Sequence, residues 1–239
     1  LSDSGSIFVQ ISDENVHHVR EICDEVFGAE NFIAEVIFKK TSGTGATLLE
    51  GIVDYSIWYT KNKESLKYNQ LYLLKNQNGV GAGSYKLIKK ESGLIRAATK
   101  NELDLGAMLL RSSPLTSERP AQGGDLKLYS FNGIDHTPGK GTFKTDFSGL
   151  VKLNKVNRLL SSGNRLSYIR YLDDFPATPI NALWNDTQSG SGMDKVYVVQ
   201  TNEKVIERCM LMTTDPADLV LDITCGSGTT AVVAEKWGR

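Results

Sequence analysis

Cysteine is scarce in this 239-residue chain: Cys23, Cys209 and Cys225 are the only three. They are scattered, with no metal-ligand spacing, so neither a disulfide framework nor a zinc module is encoded. They read as reduced thiols, and the expected compartment is the cytoplasm. Long apolar runs are also missing. None approaches the roughly 20 residues that span a bilayer, and no charged-then-apolar leader opens the chain, so no membrane partner is expected. The three histidines, His17, His18 and His136, lack partners at ligand spacing; they read as surface residues, and no metal is expected. No Ser/His/Asp order or carboxylate pair marks a hydrolytic centre. There is no internal repeat and no low-complexity tract. The apolar fraction of 40% and charged fraction of 23% are ordinary for a globular protein. The length suits one large or two small domains.

Net charge is nearly absent too, at -1, which argues against a generally basic nucleic-acid binder. The average hides an asymmetry. Between Asn76 and Ala182 there are 15 Lys+Arg and 9 Asp+Glu, a surplus of +6, and the remainder has 12 and 19, or -7. A basic middle between acidic flanks suits contact with a polyanion, and equally a solvated Lys-rich insertion.

Short β-rich runs occur at Ser6–Ile11, at 32–38 and at 54–60. Val16, Val19, Ile22, Cys23, Val26 and Phe27 recur at helical spacing after a cap at Ser12 or Asp13, and Gly28 ends that helix. From Asn76 the pattern weakens into a loop-rich insert with small sheets. It tightens again at Trp184. Thr201 or Asn202 can cap a helix carrying Val205, Ile206, Cys209, Met210 and Met212, which Asp215-Pro216 breaks. A terminal strand at 218–222, a Gly-rich loop and a last helix follow. Three parts are expected: 1–75, a partial catalytic sheet; 76–182, the insert; and 183–239, a ligand-binding part. Strands alternating with helices predict an α/β sheet with the insert grafted on.

The terminal run Asp222-Ile223-Thr224-Cys225-Gly226-Ser227-Gly228-Thr229-Thr230 has the grammar of a strand-loop-helix nucleotide site. Gly226 and Gly228 allow close backbone approach, and the helix start offers unpaired N–H groups and a positive dipole end. A phosphate-binding P-loop would need Lys after the last glycine, where Thr229 stands. The Gly-x-Gly-x-x-Gly dinucleotide pattern has Ala231 at its third glycine, a position that accepts alanine in some variants. A tight turn without ligand would read the same way.

With its neighbours, Asp215-Pro216 through Thr230 resembles the cofactor motif of amino-methylating DNA methyltransferases of the β order. In that family an Asp-Pro and two further residues precede Gly-Ser-Gly-Thr-Thr. The resemblance extends to the strand segments near Ser6, Glu30 and Asp54, and to Tyr168–Asp174 and Trp184–Asp186 at the end of a target-recognition region. It is most similar to modification subunits of type III restriction systems, because the cofactor loop follows the recognition region. The resemblance implies a Rossmann-like methyltransferase sheet with an inserted loop-rich target-recognition region. It also implies S-adenosylmethionine as cofactor, held by Asp222, Thr224, Cys225, Gly226, Ser227, Gly228 and Thr229, with Gln200, Thr201 and Asn202 lining the pocket. Two departures are that Thr201-Asn202 stands for Lys-Pro and Ile223 for the proline after the strand acid.

By the same resemblance the activity is methyl transfer to an exocyclic base amine, adenine N6 before cytosine N4. The partners are double-stranded DNA, a restriction subunit and a second modification subunit. No Asp-Pro-Pro-Tyr-like catalytic motif occurs in the 239 residues, so no catalytic residue is assigned. The chain reads as a fragment cut at both ends, inactive alone and poorly soluble. Base-stacking or DNA-contact candidates are Trp58 and Tyr59, Lys39 and Lys40 before a Gly-rich loop, and Arg165, Tyr168, Arg170 and Tyr171, where bases and aromatics interleave. For each of these, core packing or a solvated edge is the competing reading. Two other functions remain: a non-catalytic DNA-binding relic, and a dinucleotide-dependent oxidoreductase, which needs an acid about 20 residues past the glycine loop.

Overall fold

The computed structural model describes residues 1–43, 45–75, 79, 81–188 and 201–239. These form two compact units, one of residues Leu1–Tyr72 with Pro179–Arg239 and one of Leu73–Thr178. Among the described residues no helix is long and apolar enough to cross a membrane.

The first unit is built on a four-stranded sheet. Strand β1 (Ser6–Ile11) pairs antiparallel with β3 (Val53–Thr60), which pairs antiparallel with β2 (Phe32–Lys39). The short strand Leu183–Trp184 then joins β2 in parallel. Helix α1 (Val16–Phe27) is capped at Asn15, three residues later than Ser12 and two later than Asp13. Gly28 ends it with φ 84°, a conformation that costs glycine little.

Alternation along β3 sends neighbouring side chains to opposite faces, and both faces are covered. On one side Ile57 and Tyr59 pack with Cys23, Val16, Val19 and Phe27 of α1 and with Ile7 and Val9 of β1. On the other, Trp58, Val36, Phe38 and Trp184 pack against Val205, Cys209 and Met212 of the helix Glu203–Thr213. The unit is a helix–sheet–helix sandwich.

The terminal strand expected at 218–222 does not form. Among the described residues the segment joins no ladder, because no neighbouring strand supplies the hydrogen bonds that an extended run needs. Leu219, Leu221 and Ile223 are 96%, 82% and 87% exposed. Such an apolar row is an association surface. The purified chain is expected to self-associate with rising concentration in light scattering, and L219K/L221K to return it to a monomer. A wild-type monomer at all concentrations would contradict this.

The second unit is more regular than the loop-rich insert read from sequence. Five antiparallel strands run in the order Leu159–Ser162, Arg165–Tyr171, Leu110–Pro114, Leu87–Lys89, Ile95–Ala97. Two of them are only three residues long, too short for alternation to stand out in sequence. The helix Phe147–Lys155 buries Leu150 against Leu159, Leu166 and Phe143.

Candidate functional site

The Gly-Ser-Gly loop is held by its own polar side chains. Asp222 Oδ1 accepts the Thr224 N–H at 2.9 Å, and its Oδ2 accepts the Thr230 hydroxyl at 2.6 Å, which ties the loop entry to the first turn of the helix Thr229–Lys236. The Thr230 bond, assisted by Thr224, holds the Asp222 carboxyl below the usual range, so it is ionised at neutral pH. Ser227 and Thr229 hydroxyls meet at 2.9 Å.

Gly226 has φ 50° and Gly228, the N-cap residue, has φ 78°. A β-carbon on Gly228 would meet nothing within 4 Å. What the glycine provides is therefore the left-handed turn and an uncovered approach to the backbone. No side chain caps this helix, so its first N–H groups and positive dipole end face whatever enters the loop. The exposed thiol of Cys225 stands beside them. The arrangement can bind an anionic group on the helix N-terminus with an ionised carboxylate close behind it.

The approach to the loop is anchored at long range. Lys67 Nζ contacts Asp215 at 2.9 Å and Asp218 at 2.6 Å. Arg239 donates to the Thr214 hydroxyl at 2.9 Å and its carbonyl at 2.8 Å, returning the chain end to the preceding helix. Sequence reading missed Lys67 and Thr230. Lys67 lies 151 positions from Asp218 and leaves no local signal. Thr230 could have been found as a hydroxyl in the first helical turn facing the strand acid.

Of the segment expected from sequence to line a cofactor pocket, Thr201 donates to the Gln10 side chain of β1 at 2.8 Å, and Asn202 caps the helix by accepting the Lys204 N–H at 2.9 Å. Gln200 lies outside the described residues. From this helix Arg208 forms a two-pronged pair with Asp186 at 2.8 and 2.6 Å, its guanidinium 5.2 Å from the Trp184 ring centre.

Neither Trp58 nor Tyr59 of β3 offers a free face. Trp58 is 5% exposed, stacked on Phe8 at 5.1 Å, with its indole N–H on Ser6 Oγ. Tyr59 has no exposed surface, packs edge-on to Phe32 and donates its hydroxyl to Asp24. Burial and the Asp24 charge push its phenol up to about 12. Base stacking at either ring would require the core to open. The two adjacent residues are both buried because helices cover both faces of the sheet. Lys40 is paired with Asp54 at 2.8 Å, while Lys39 forms no ion pair among the described residues.

The basic–aromatic run of the second unit is split by alternation. Tyr168 and Arg170 share one face of their strand; Arg165 and Tyr171 lie on the other. Tyr171 carries the Arg158 guanidinium at 4.4 Å, and Arg158 is held by Asp174 at 2.6 Å.

Against known proteins, residues 1–239 match the DNA methylase family of the N6/N4 type over their whole length. The chain is 25% identical, over its full length, to the probable type III restriction-modification enzyme HindVI Mod subunit of Haemophilus influenzae, of which it covers 39%. It is 23% identical over 99% of its length to the type II methyltransferase M.EcaI of Enterobacter cloacae, covering 50% of that protein. With the StyLTI Mod subunit of Salmonella typhimurium it shares 22% identity over 97% of its length, covering 35%. The chain thus spans about a third to a half of these relatives.

Proposed function

Because the chain belongs to the DNA methylase family of the N6/N4 type, we propose that it is the recognition and cofactor-binding portion of an enzyme that methylates adenine N6 in double-stranded DNA. The donor in this reading is S-adenosylmethionine. When bound, that cofactor supplies a methyl group on a positively charged sulfur. One observation carries the proposal: the Asp222-clamped loop whose left-handed Gly228 opens, uncapped, onto a helix N-terminus.

The residues fit the amino-acid end of that cofactor. The N–H groups of Thr229 and Thr230, at the uncapped helix start, suit its carboxylate, and the ionised Asp222 suits its ammonium. Asp222 already accepts from Thr224 and Thr230, but a carboxylate has about four acceptor sites, so capacity remains. Thr224, Cys225 and Thr229 complete the loop, and Thr201 and Asn202, at the start of the helix Glu203–Thr213, are the proposed second contact. These residues bind and orient. Holding two reactants in line is the main source of rate in a direct transfer. No residue of 1–239 is assigned to the target amine.

The target DNA is proposed to lie on the second unit. A restriction subunit and a second modification subunit are the proposed partners, and the cytoplasm the proposed location. Transfer of labelled methyl from S-adenosylmethionine to duplex DNA by the enzyme of which this chain is a portion, followed by nucleoside analysis, tests the activity. The expected product is N6-methyladenine. Label on cytosine C5, or no label on DNA, would overturn it.

A further inference from the structure

The second unit contains a groove of about 520 Å³ whose walls include Pro114, Leu115, Lys144, Lys152, Tyr168 and Arg170. Strand register puts Tyr168 opposite Ser113 and Arg170 opposite Arg111. Tyr168 packs against the buried cluster that includes Leu159 and Leu166. Two of these residues, Lys144 and Lys152, belong to no motif visible in the sequence.

The charge of the groove is of one sign. Three cations line it and no carboxylate does. Elsewhere in the unit Lys90 and Arg96 pair with Glu102, Arg119 with Asp125 and Arg158 with Asp174, while Lys86, Lys127 and Lys140 form no ion pair among the described residues. Lys144, Lys152 and Arg170 form no ion pair among the described residues. Asp174, whose charge reaches Arg170, gives its oxygens to Arg158 and the Tyr171 N–H. Arg170 instead faces Arg111, a like charge directly across the ladder, which is an unfavourable pairing. The Nε groups of both arginines are buried without a hydrogen-bond partner. Buried donors without acceptors cost free energy that a bound anion would recover.

A nucleic-acid strand matches this surface. Its phosphates suit the three cations, and its sugar and base edges suit the apolar floor of Pro114, Leu115 and Tyr168. We propose that this groove seats one backbone strand of the duplex DNA target, with Lys144, Lys152 and Arg170 on phosphates and Tyr168 against the sugar or base. The choice of DNA rests on the methylase reading above; the groove itself rests on the geometry.

The test is fluorescence anisotropy of the chain with labelled duplex DNA across a salt series. K144Q/K152Q/R170Q is expected to weaken binding about tenfold or more. It should also reduce the slope of log affinity against log salt by about 2 to 3, since each phosphate contact contributes about 0.9. Y168L should weaken binding and leave the slope unchanged, because it removes no charge. K86Q/K127Q/K140Q, the same charge change outside the groove, should lose far less affinity. Thermal melts confirm that each variant is folded.

If the groove triple binds like wild type, or no better than the control triple separates from it, the groove assignment falls and the methylase reading stands. Preference for duplex RNA over duplex DNA would also overturn it. Cofactor binding, measured separately, reports on the methylase reading alone.

Discussion

Tyr59→Ala is expected to lower stability by about 4 kcal/mol, in the range for removing a buried aromatic ring. The ring is fully buried between Phe32, Phe27 and the Arg20 guanidinium. It touches both α1 and the sheet, so a cavity there cannot close by the movement of one side chain. Tyr59→Phe keeps the ring and loses only the bond to Asp24, so it should cost far less. Urea melts of the two variants decide between core and base-stacking roles. A folded, stable Tyr59→Ala protein with impaired DNA binding would restore the stacking role.

Asp186→Ala should be the second large loss, about 3 kcal/mol, because it strands the Arg208 guanidinium, whose side chain is 9% exposed. Arg208→Met should cost less. The Asp186 side chain it leaves behind is 46% exposed and stays hydrated, so the charge it loses is partly screened. The asymmetry is the signature of a one-sidedly buried pair. It also sets a pH dependence. Arg208, more than Lys204, holds the folded Asp186 carboxyl below its ordinary value near 3.9. The stabilisation is therefore full above about pH 4 and disappears as pH falls through the lower folded value. Melts from pH 7 to pH 3 should show a steeper acid loss for wild type than for Asp186→Ala. Equal slopes would remove Asp186 from the account.

The sandwich of the first unit was legible from residue pattern. The alternating runs gave β1, β2 and β3 to within a residue or two, and Gly28 marked the end of α1. What pattern could not carry was partnership. The apolar alternation at Leu219, Leu221 and Ile223 is a strand's, but a strand also needs a neighbour, and no described one is there. Sequence left base stacking and core packing both open at Trp58 and Tyr59; α1 covers Tyr59, and the distant helix Glu203–Thr213 covers Trp58 on the opposite face.

In the candidate site the glycines, Asp222 and the helix start were readable because they are consecutive. Lys67 was not, because its partners are distant in sequence. In the second unit, Tyr168 and Arg170 were singled out with Arg165 and Tyr171. Period-two geometry divides the four, and joins the first two to Lys144 and Lys152 instead.

The most direct test of the central claim is equilibrium dialysis of the chain with radiolabelled S-adenosylmethionine, wild type against Gly228→Val. Valine at a left-handed position costs about 1–2 kcal/mol, and with the β-carbon on the ligand side it should weaken binding about tenfold or more. Saturable wild-type binding lost in a Gly228→Val protein of unchanged circular dichroism is the predicted result. Wild-type binding that survives Gly228→Val intact, or no saturable binding by the wild type, would contradict the assignment of the loop.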